Sequence, residues 1–303
     1  MKIRTIGIVG SGAVGIYYGS RILEAGGEVR FLLRGDYEVV QERGFEVRSV
    51  DGDLSLPSPQ CYRDAAEMGP VDLVIVAWKA TANAYAQEVI TPLLHDESKI
   101  LTLQNGLGNV ELLEELFGPE RVLGGLCFVC INRLSEGVIA HSAGGMVTVG
   151  EPAETGALEA VVSLFGPQVK AVSVANLGLA QWRKLVWNIP FNGLCVREGG
   201  IDTQELLKRE GGVAEVHTLM GEVLAAAKAL GYEIPESFIE NQIEKTLAMG
   251  AYLPSSALDY RAKLPLEVEA IWGEPLRRAQ AAGVQVPAME ALYHRLGEID
   301  AER

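Results

Sequence analysis

At 303 residues the chain exceeds the usual size of one domain, which favours two. Its 48% hydrophobic and 22% charged residues suit an ordinary globular protein, and a formal net charge of −14 argues against the broad basic surface that non-specific nucleic-acid binding needs. No uncharged apolar run reaches the roughly 18 residues of a membrane span, and the 4 cysteines are too scattered for a disulfide framework, which fits a reducing cytoplasm.

Lys2 and Arg4 precede an apolar run, but the glycines from Gly7 to Gly19 make it a poor export-signal helix. The first half alternates short β-branched runs with helical patterns. "TIGIVG" leads into a helix through "AVGIYYGSRILEAG"; "EVRFLLR", "DLVIVAW", "KILTLQ" and "RVLGGLCFVCI" then read as further strands. Continuous apolar runs separated by helices predict an α/β fold, a Rossmann-like doubly wound parallel sheet covered on both faces. "GVIAHSAGGMVTVGE" reads as a hairpin closing this half, its strands joined near Gly144 and Gly145. Cys127 and Cys130 form a C-x-x-C within a strand, where they point to opposite faces and suit the core better than a redox or metal pair.

From about Asn176 the pattern becomes helical throughout, with segments bounded by Gly or Pro. Residues 1–175 are therefore expected to form the dinucleotide-binding domain and 176–303 an all-helical domain for substrate and dimerisation. A cleft between two such domains is a common place for ligands, and an apolar helix in the second could serve core or homodimer interface equally.

"IGIVGSGAVG" carries Gly10, Gly12 and Gly15 in G-x-G-x-x-G spacing between a predicted strand and a predicted helix. The first glycine makes a tight turn, the second admits a pyrophosphate, the third lets helix and strand pack, and the loop residues Ser11, Ala13 and Val14 offer backbone amides. The second strand ends "FLLRGD", so Arg34 stands where NAD-selective folds usually carry an acid. NADP is the expected cofactor, with Asp36 keeping NAD as the minority reading. Lys79, after the next strand, offers a second cation for the phosphate. Arg133 is a strand-end arginine, read as solvated ahead of an anion contact.

In "AQWRKLVWNIPFNG", Lys184, Asn188 and Asn192 recur every fourth residue, on one side of a helix. Pro190 should bend or end that helix. The surrounding apolar residues leave little of the segment suited to open water, so the polar row is expected to line a cleft.

These residues together resemble the ketopantoate reductase family, through the glycine loop, the arginine after the second strand, "LQNGLGN", "HSAGGMVTVGE", "WRKLVWNIPFN" and "LEVEAIWG". The resemblance implies NADPH-dependent reduction of 2-dehydropantoate, a small 2-oxo acid, to pantoate. It implies Lys184 as general acid and Asn105 near the nicotinamide and substrate. Asn188 and Asn192 would hold substrate, and Ser255, or neighbouring Ser256, would receive its carboxylate. Glu267 matches a late family glutamate that would pair with Lys184 or bind a substrate hydroxyl. A same-fold reductase for a bulkier 2-oxo acid, or a non-catalytic dinucleotide sensor, are the alternatives. The first is motivated by departures from the family pattern at Gly193, Tyr252 and Trp272. His95, His141, His217 and His294 show no metal spacing, so no metal is expected.

Overall fold

The computed structural model describes residues 2–302. They divide into two compact units: residues up to 104 with 109–177, and residues from 178 on with the short segment 105–108.

The first unit is an α/β layer built on a ten-stranded sheet. Its strands are β1 (Thr5–Val9), β2 (Glu28–Leu32), β3 (Phe45–Ser49), β4 (Leu54–Leu56), β5 (Gln60–Tyr62), β6 (Leu73–Val76), β7 (Lys99–Thr102), β8 (Val122–Ser135), β9 (Val138–Gly150) and β10 (Ala171–Ser173). The order is β4-β3-β9-β8-β7-β6-β1-β2-β5, with β10 also pairing β9. The strands from β8 through β5 pair in parallel, and β6 is buried along its whole length, which is why its sequence is an unbroken apolar run. The sheet is nevertheless mixed, because β8–β9 and β3–β4 are antiparallel. Strand β1 lies between β2 and β6, so the strand order reverses beside it, the usual place for a nucleotide in such sheets. Helices α1 (Ala13–Glu24), α2 (Tyr37–Arg43), α3 (Ala65–Met68), α4 (Ala86–Ile90), α5 (Asn109–Phe117) and α6 (Leu158–Val162) complete this unit. Its core joins Ile6, Ile8, Phe31, Ile75 and Leu101 of the sheet to Ile16, Tyr18 and Ile22 of α1.

The hairpin expected at Gly144 and Gly145 is not formed. Residues 138–150 are one strand, β9, and the reversal lies between Ser135 and Val138. The glycines serve bulges instead. The register passes from Phe128↔Met146 to Val129↔Gly144, skipping Gly145, and from Cys130↔Ala143 to Ile131↔His141, skipping Ser142. A Cβ on Gly145 would lie 2.7 Å from the Tyr17 hydroxyl, so α1 sits against this bulge. Strands β4 and β5 have three residues each, too few to leave a clear alternation, whereas β3 does alternate, with Phe45 and Val47 buried and Glu46 and Arg48 exposed.

The second unit is helical: α7 (Leu177–Arg197, whose first residue clusters with the sheet), α8 (Thr203–Lys208), α9 (Gly212–Ala229), α10 (Ser237–Met249), α11 (Ser255–Arg261), α12 (Glu274–Ala281) and α13 (Pro287–Ala301). A π-helical turn, Glu269–Gly273, leads into α12. Helix α7 does not end at Pro190 but continues for nearly two further turns. Its neighbours Ile189, Phe191, Leu194 and Cys195 are all buried, and the Trp272 indole donates to the Ile189 carbonyl at 3.0 Å, so tertiary contacts hold the segment helical where propensity would not. Around it pack Trp182, Met220, Val223, Ile271, Leu292 and Leu296. None of the helices described is long and apolar enough to cross a membrane.

Candidate functional site

The loop between β1 and α1 shows three different uses of glycine. Gly10 has φ +94°, and a Cβ there would lie 2.1 Å from the Trp78 amide nitrogen after β6. Gly15 is as constrained, with the Gly10 carbonyl oxygen 2.3 Å from an added Cβ, so α1 can approach β1 only without a side chain there. Gly12 is the reverse case: nothing lies within 4 Å of an added Cβ, and no side chain caps the helix that starts after it. A tight turn, an open approach and a close helix–strand packing are the properties a pyrophosphate-binding loop needs. Ser11 donates its hydroxyl to the Leu32 carbonyl at 3.0 Å, fastening the loop, which runs on through Ala13 and Val14, to the end of β2.

At that end of β2, Arg34 is exposed while Asp36 is only 6% exposed. The Asp36 carboxylate accepts from Arg133 of β8 and from the Gly137 amide at 3.1 Å. Arg133, expected to be solvated, is therefore an ion-pair partner. Lys79 follows β6 and opens a short 3₁₀ turn, Ala80–Tyr85. Beyond it lies an amide chain whose pairing the sequence did not announce, although Gln104 and Asn109 belong to the "LQNGLGN" motif: Gln104 and Trp78 both donate to Asn83 Oδ1, at 2.7 and 3.1 Å, and Asn83 Nδ2 donates to Asn109 Oδ1 at 2.8 Å. This ties the loops that follow β6 and β7 to the start of α5.

The second unit gathers the remaining candidates. Lys184 Nζ donates to Asn105 Oδ1 at 2.8 Å across 79 residues of sequence. The Asn105 segment reaches it because the two glycines that follow, Gly106 and Gly108, take φ near +85° and seat the loop on the π-helical turn. Leu107 N donates to the Ala270 carbonyl at 2.9 Å, and a Cβ on Gly106 would lie 2.1 Å from that same oxygen. Glu267 is 7% exposed and lies two residues before the π-helical turn begins at Glu269.

One and two turns along α7 from Lys184 stand Asn188 and Asn192, 7% and 2% exposed. Asn192 Oδ1 accepts from the Ser255 hydroxyl at 3.3 Å and from the Ser256 amide at 3.0 Å, so it caps the start of α11. Ser255 is exposed and Ser256 is 2% exposed. Beside them Trp187, Phe191 and Tyr252 form an aromatic group with ring centroids 5.0 and 5.9 Å from Trp187, and the Trp187 indole donates to Thr246 Oγ1 at 2.9 Å.

Two of the expected departures have a structural explanation unrelated to ligand. Trp272 is 1% exposed, and its nitrogen would lie 2.8 Å from a Cβ on Gly193. The glycine thus makes room for the indole, and the pair is a packing unit of the helical core. The buried thiols Cys61 and Cys195 are pushed up to about 12 by desolvation, which makes them inert core groups. Among the described residues no group of three or more His, Cys, Asp or Glu is arranged to hold a metal ion.

The family model described as "Ketopantoate reductase PanE/ApbA" matches residues 6–154, and its C-terminal counterpart matches 176–300. A 2-dehydropantoate 2-reductase of Nostoc is 40% identical over 99% of this chain and 96% of its own length. A crystal structure of 2-dehydropantoate 2-reductase from Geobacter metallireducens superposes with a TM-score of 0.94, at 41% identity over 97% of this chain and 99% of that one. D-mandelate dehydrogenase in a ternary structure with NADH and anilino(oxo)acetate shares the fold at a TM-score of 0.89, covering 98% of this chain and 99% of that one at 21% identity.

Proposed function

Since the chain belongs to the ketopantoate reductase family, we propose that it reduces 2-dehydropantoate to pantoate with NADPH, an oxidoreductase acting on a CH–OH/C=O couple. The observation that carries the reading is the half-buried Lys184–Asn105 hydrogen bond in the helical unit, on the same helix as the buried amides Asn188 and Asn192.

Hydride delivery to the 2-oxo carbon leaves negative charge on its oxygen, and that oxygen must then take a proton. The Lys184 ammonium can supply both, first stabilising the alkoxide and then protonating it. Asn105 aims the ammonium. Its Oδ1 can only accept, so it fixes the direction of one N–H of Lys184. Asn192 uses its carbonyl oxygen to hold Ser255 and Ser256, leaving its amide donor for a hydroxyl or carboxylate oxygen. Ser255, exposed at the start of α11, receives the carboxylate better than the buried Ser256 does. Asn188 and Glu267 complete the polar lining, Glu267 engaging either the Lys184 ammonium or a substrate hydroxyl. In the first unit, residues 10–15 fit a pyrophosphate and Arg34, with Lys79 as a second cation, fits a 2′-phosphate; the bound nicotinamide supplies the hydride. On this reading residues 1–175 serve the dinucleotide and 176–303 the oxo acid, except that the Asn105 segment clusters with the helical unit and serves the oxo acid as well. A cytoplasmic, homodimeric enzyme without nucleic-acid or membrane partners is the accompanying expectation; a ketopantoate reductase of Staphylococcus aureus is described as dimeric.

The test is NADPH oxidation followed at its absorbance with 2-dehydropantoate beside a panel of branched and aromatic 2-oxo acids. Preference for 2-dehydropantoate is expected. Turnover of another oxo acid with none of 2-dehydropantoate would move the substrate assignment and leave the hydride chemistry standing.

A further inference from the structure

The cofactor end of β2 contains a carboxylate that ought to interfere with NADPH. Folds of this class commonly place an acid near this strand end to take the ribose hydroxyls of NAD, and a free carboxylate there repels a 2′-phosphate. Asp36 lies two residues beyond Arg34, yet it does not cap the helix that follows it. Its backbone precedes α2, but its side chain accepts nothing from that helix. Asp64, by contrast, stands before α3 and accepts from the Ala66 amide at 2.7 Å. A short acidic residue before a helix normally does what Asp64 does.

The Asp36 carboxylate is turned instead towards the β8–β9 reversal. One oxygen receives the Arg133 guanidinium, across 97 residues of sequence, and the other receives the Gly137 amide. Gly137 is fixed from the other side as well: its carbonyl accepts from the Glu46 amide at 2.9 Å, and its φ of +69° suits a glycine. The carboxyl is thereby buried, neutralised and pinned, while Arg133 remains 45% exposed at its side chain and Arg34 is exposed. The neighbouring carboxylate Glu38 is engaged by Arg63, whose guanidinium also lies over the Tyr37 ring.

Resting on the NADPH reading above, we infer that Arg133 is a positioning residue for cofactor choice: it withdraws Asp36 from the ribose site and cancels its charge, so that Arg34 acts unopposed on a 2′-phosphate. The preference for NADPH is then set by three residues from two distant parts of the chain. Arg34 attracts, Asp36 would oppose, and Arg133 silences Asp36. A buried carboxylate that loses its partner is costly to keep in place, so without Arg133 it swings towards water, where it can accept from ribose hydroxyls.

The experiment compares wild type, Arg133→Gln, Asp36→Asn and the double variant. It measures kcat/KM for NADPH and NADH with one oxo acid, and the affinity of 2′,5′-ADP and 5′-AMP by calorimetry. Arg133→Gln should lower the NADPH/NADH ratio about tenfold, the size expected of one uncompensated charge near a phosphate, with the loss in KM for NADPH. The ratio of 2′,5′-ADP to 5′-AMP affinity should fall in step. Asp36→Asn should keep or raise the preference, and the double variant should restore it, because the offending charge is gone. A merely structural role for Arg133 would reduce both cofactors alike and would not be rescued by Asp36→Asn; that result overturns the inference. So does a loss of NADPH preference in Asp36→Asn, which can be read even if Arg133→Gln folds poorly. Failure of wild type to bind either nucleotide would instead overturn the dinucleotide reading itself, and the inference with it.

Discussion

Substituting Gly193 by Ala tests whether Trp272 belongs to the core or to a ligand site. The added methyl would lie 2.7 Å from Leu292 Cδ2 and 2.8 Å from Trp272 Nε1, well inside the 3.4 Å where ordinary contact begins. The indole cannot retreat freely, because its nitrogen donates to the Ile189 carbonyl at 3.0 Å in a fully packed environment. Overpacking of this kind costs about 1–3 kcal/mol, and loss of the buried hydrogen bond adds about 1 kcal/mol, for a total of about 2–4 kcal/mol. In a unit of this size that lowers the midpoint of unfolding by about 10 °C. Scanning calorimetry reads it as a shift of the helical unit's transition. Combining Gly193→Ala with Trp272→Phe removes one of the two clashing groups, so the pair should be non-additive by about 1 kcal/mol or more. A Gly193→Ala protein with unchanged thermal stability but altered oxo-acid preference would refute the reasoning and return Trp272 to the substrate site.

Lys184→Met should lower kcat for 2-dehydropantoate by at least about 10²-fold while leaving NADPH affinity nearly unchanged, since the ammonium acts on the developing alkoxide; steady-state kinetics beside a fluorescence titration of NADPH decide it. Arg34→Asp should weaken NADPH far more than NADH, because it exchanges attraction for repulsion at a 2′-phosphate alone; equal loss for both would reject that contact. The thiols Cys61 and Cys195, ordinarily near 9.0 and held at about 12 in the fold, should resist a thiol reagent in the native protein and react on unfolding. Their folded values lie above their unfolded ones, so the stability they contribute is complete below about pH 9 and declines as pH rises towards 12. A denaturation midpoint independent of pH across that window would contradict it.

Much of the function was legible because its signals are local. The glycine spacing of residues 10–15 is a statement about a single turn, and Gly10 and Gly15 are hemmed in by backbone while Gly12 faces open space. The four-residue interval of Lys184, Asn188 and Asn192 is a helical period, and one helix does carry all three through Pro190. The apolar runs of β1, β6 and β7 likewise declare buried parallel strands without reference to anything distant. The glycine pair at 144–145 misled for the same reason: a turn and a bulge ask the same backbone freedom of glycine, and only pairing with β8 distinguishes them.

What the tertiary structure alone decided are partnerships across long stretches of chain. That Asn105 joins the helical unit and meets Lys184 depends on Leu107 reaching the Ala270 carbonyl, and no periodicity records such a contact. Trp272 and Gly193 looked like altered substrate contacts, whereas the fold packs the buried indole against the glycine, because shape complementarity is a property of packed neighbours. Asp36 kept NAD open as the minority reading of the sequence, and the partners that hold it, Arg133 and Gly137, come from about a hundred residues further along the chain. Residue types announce what a group can do; burial and the partner folding brings to it determine whether it is free to do it.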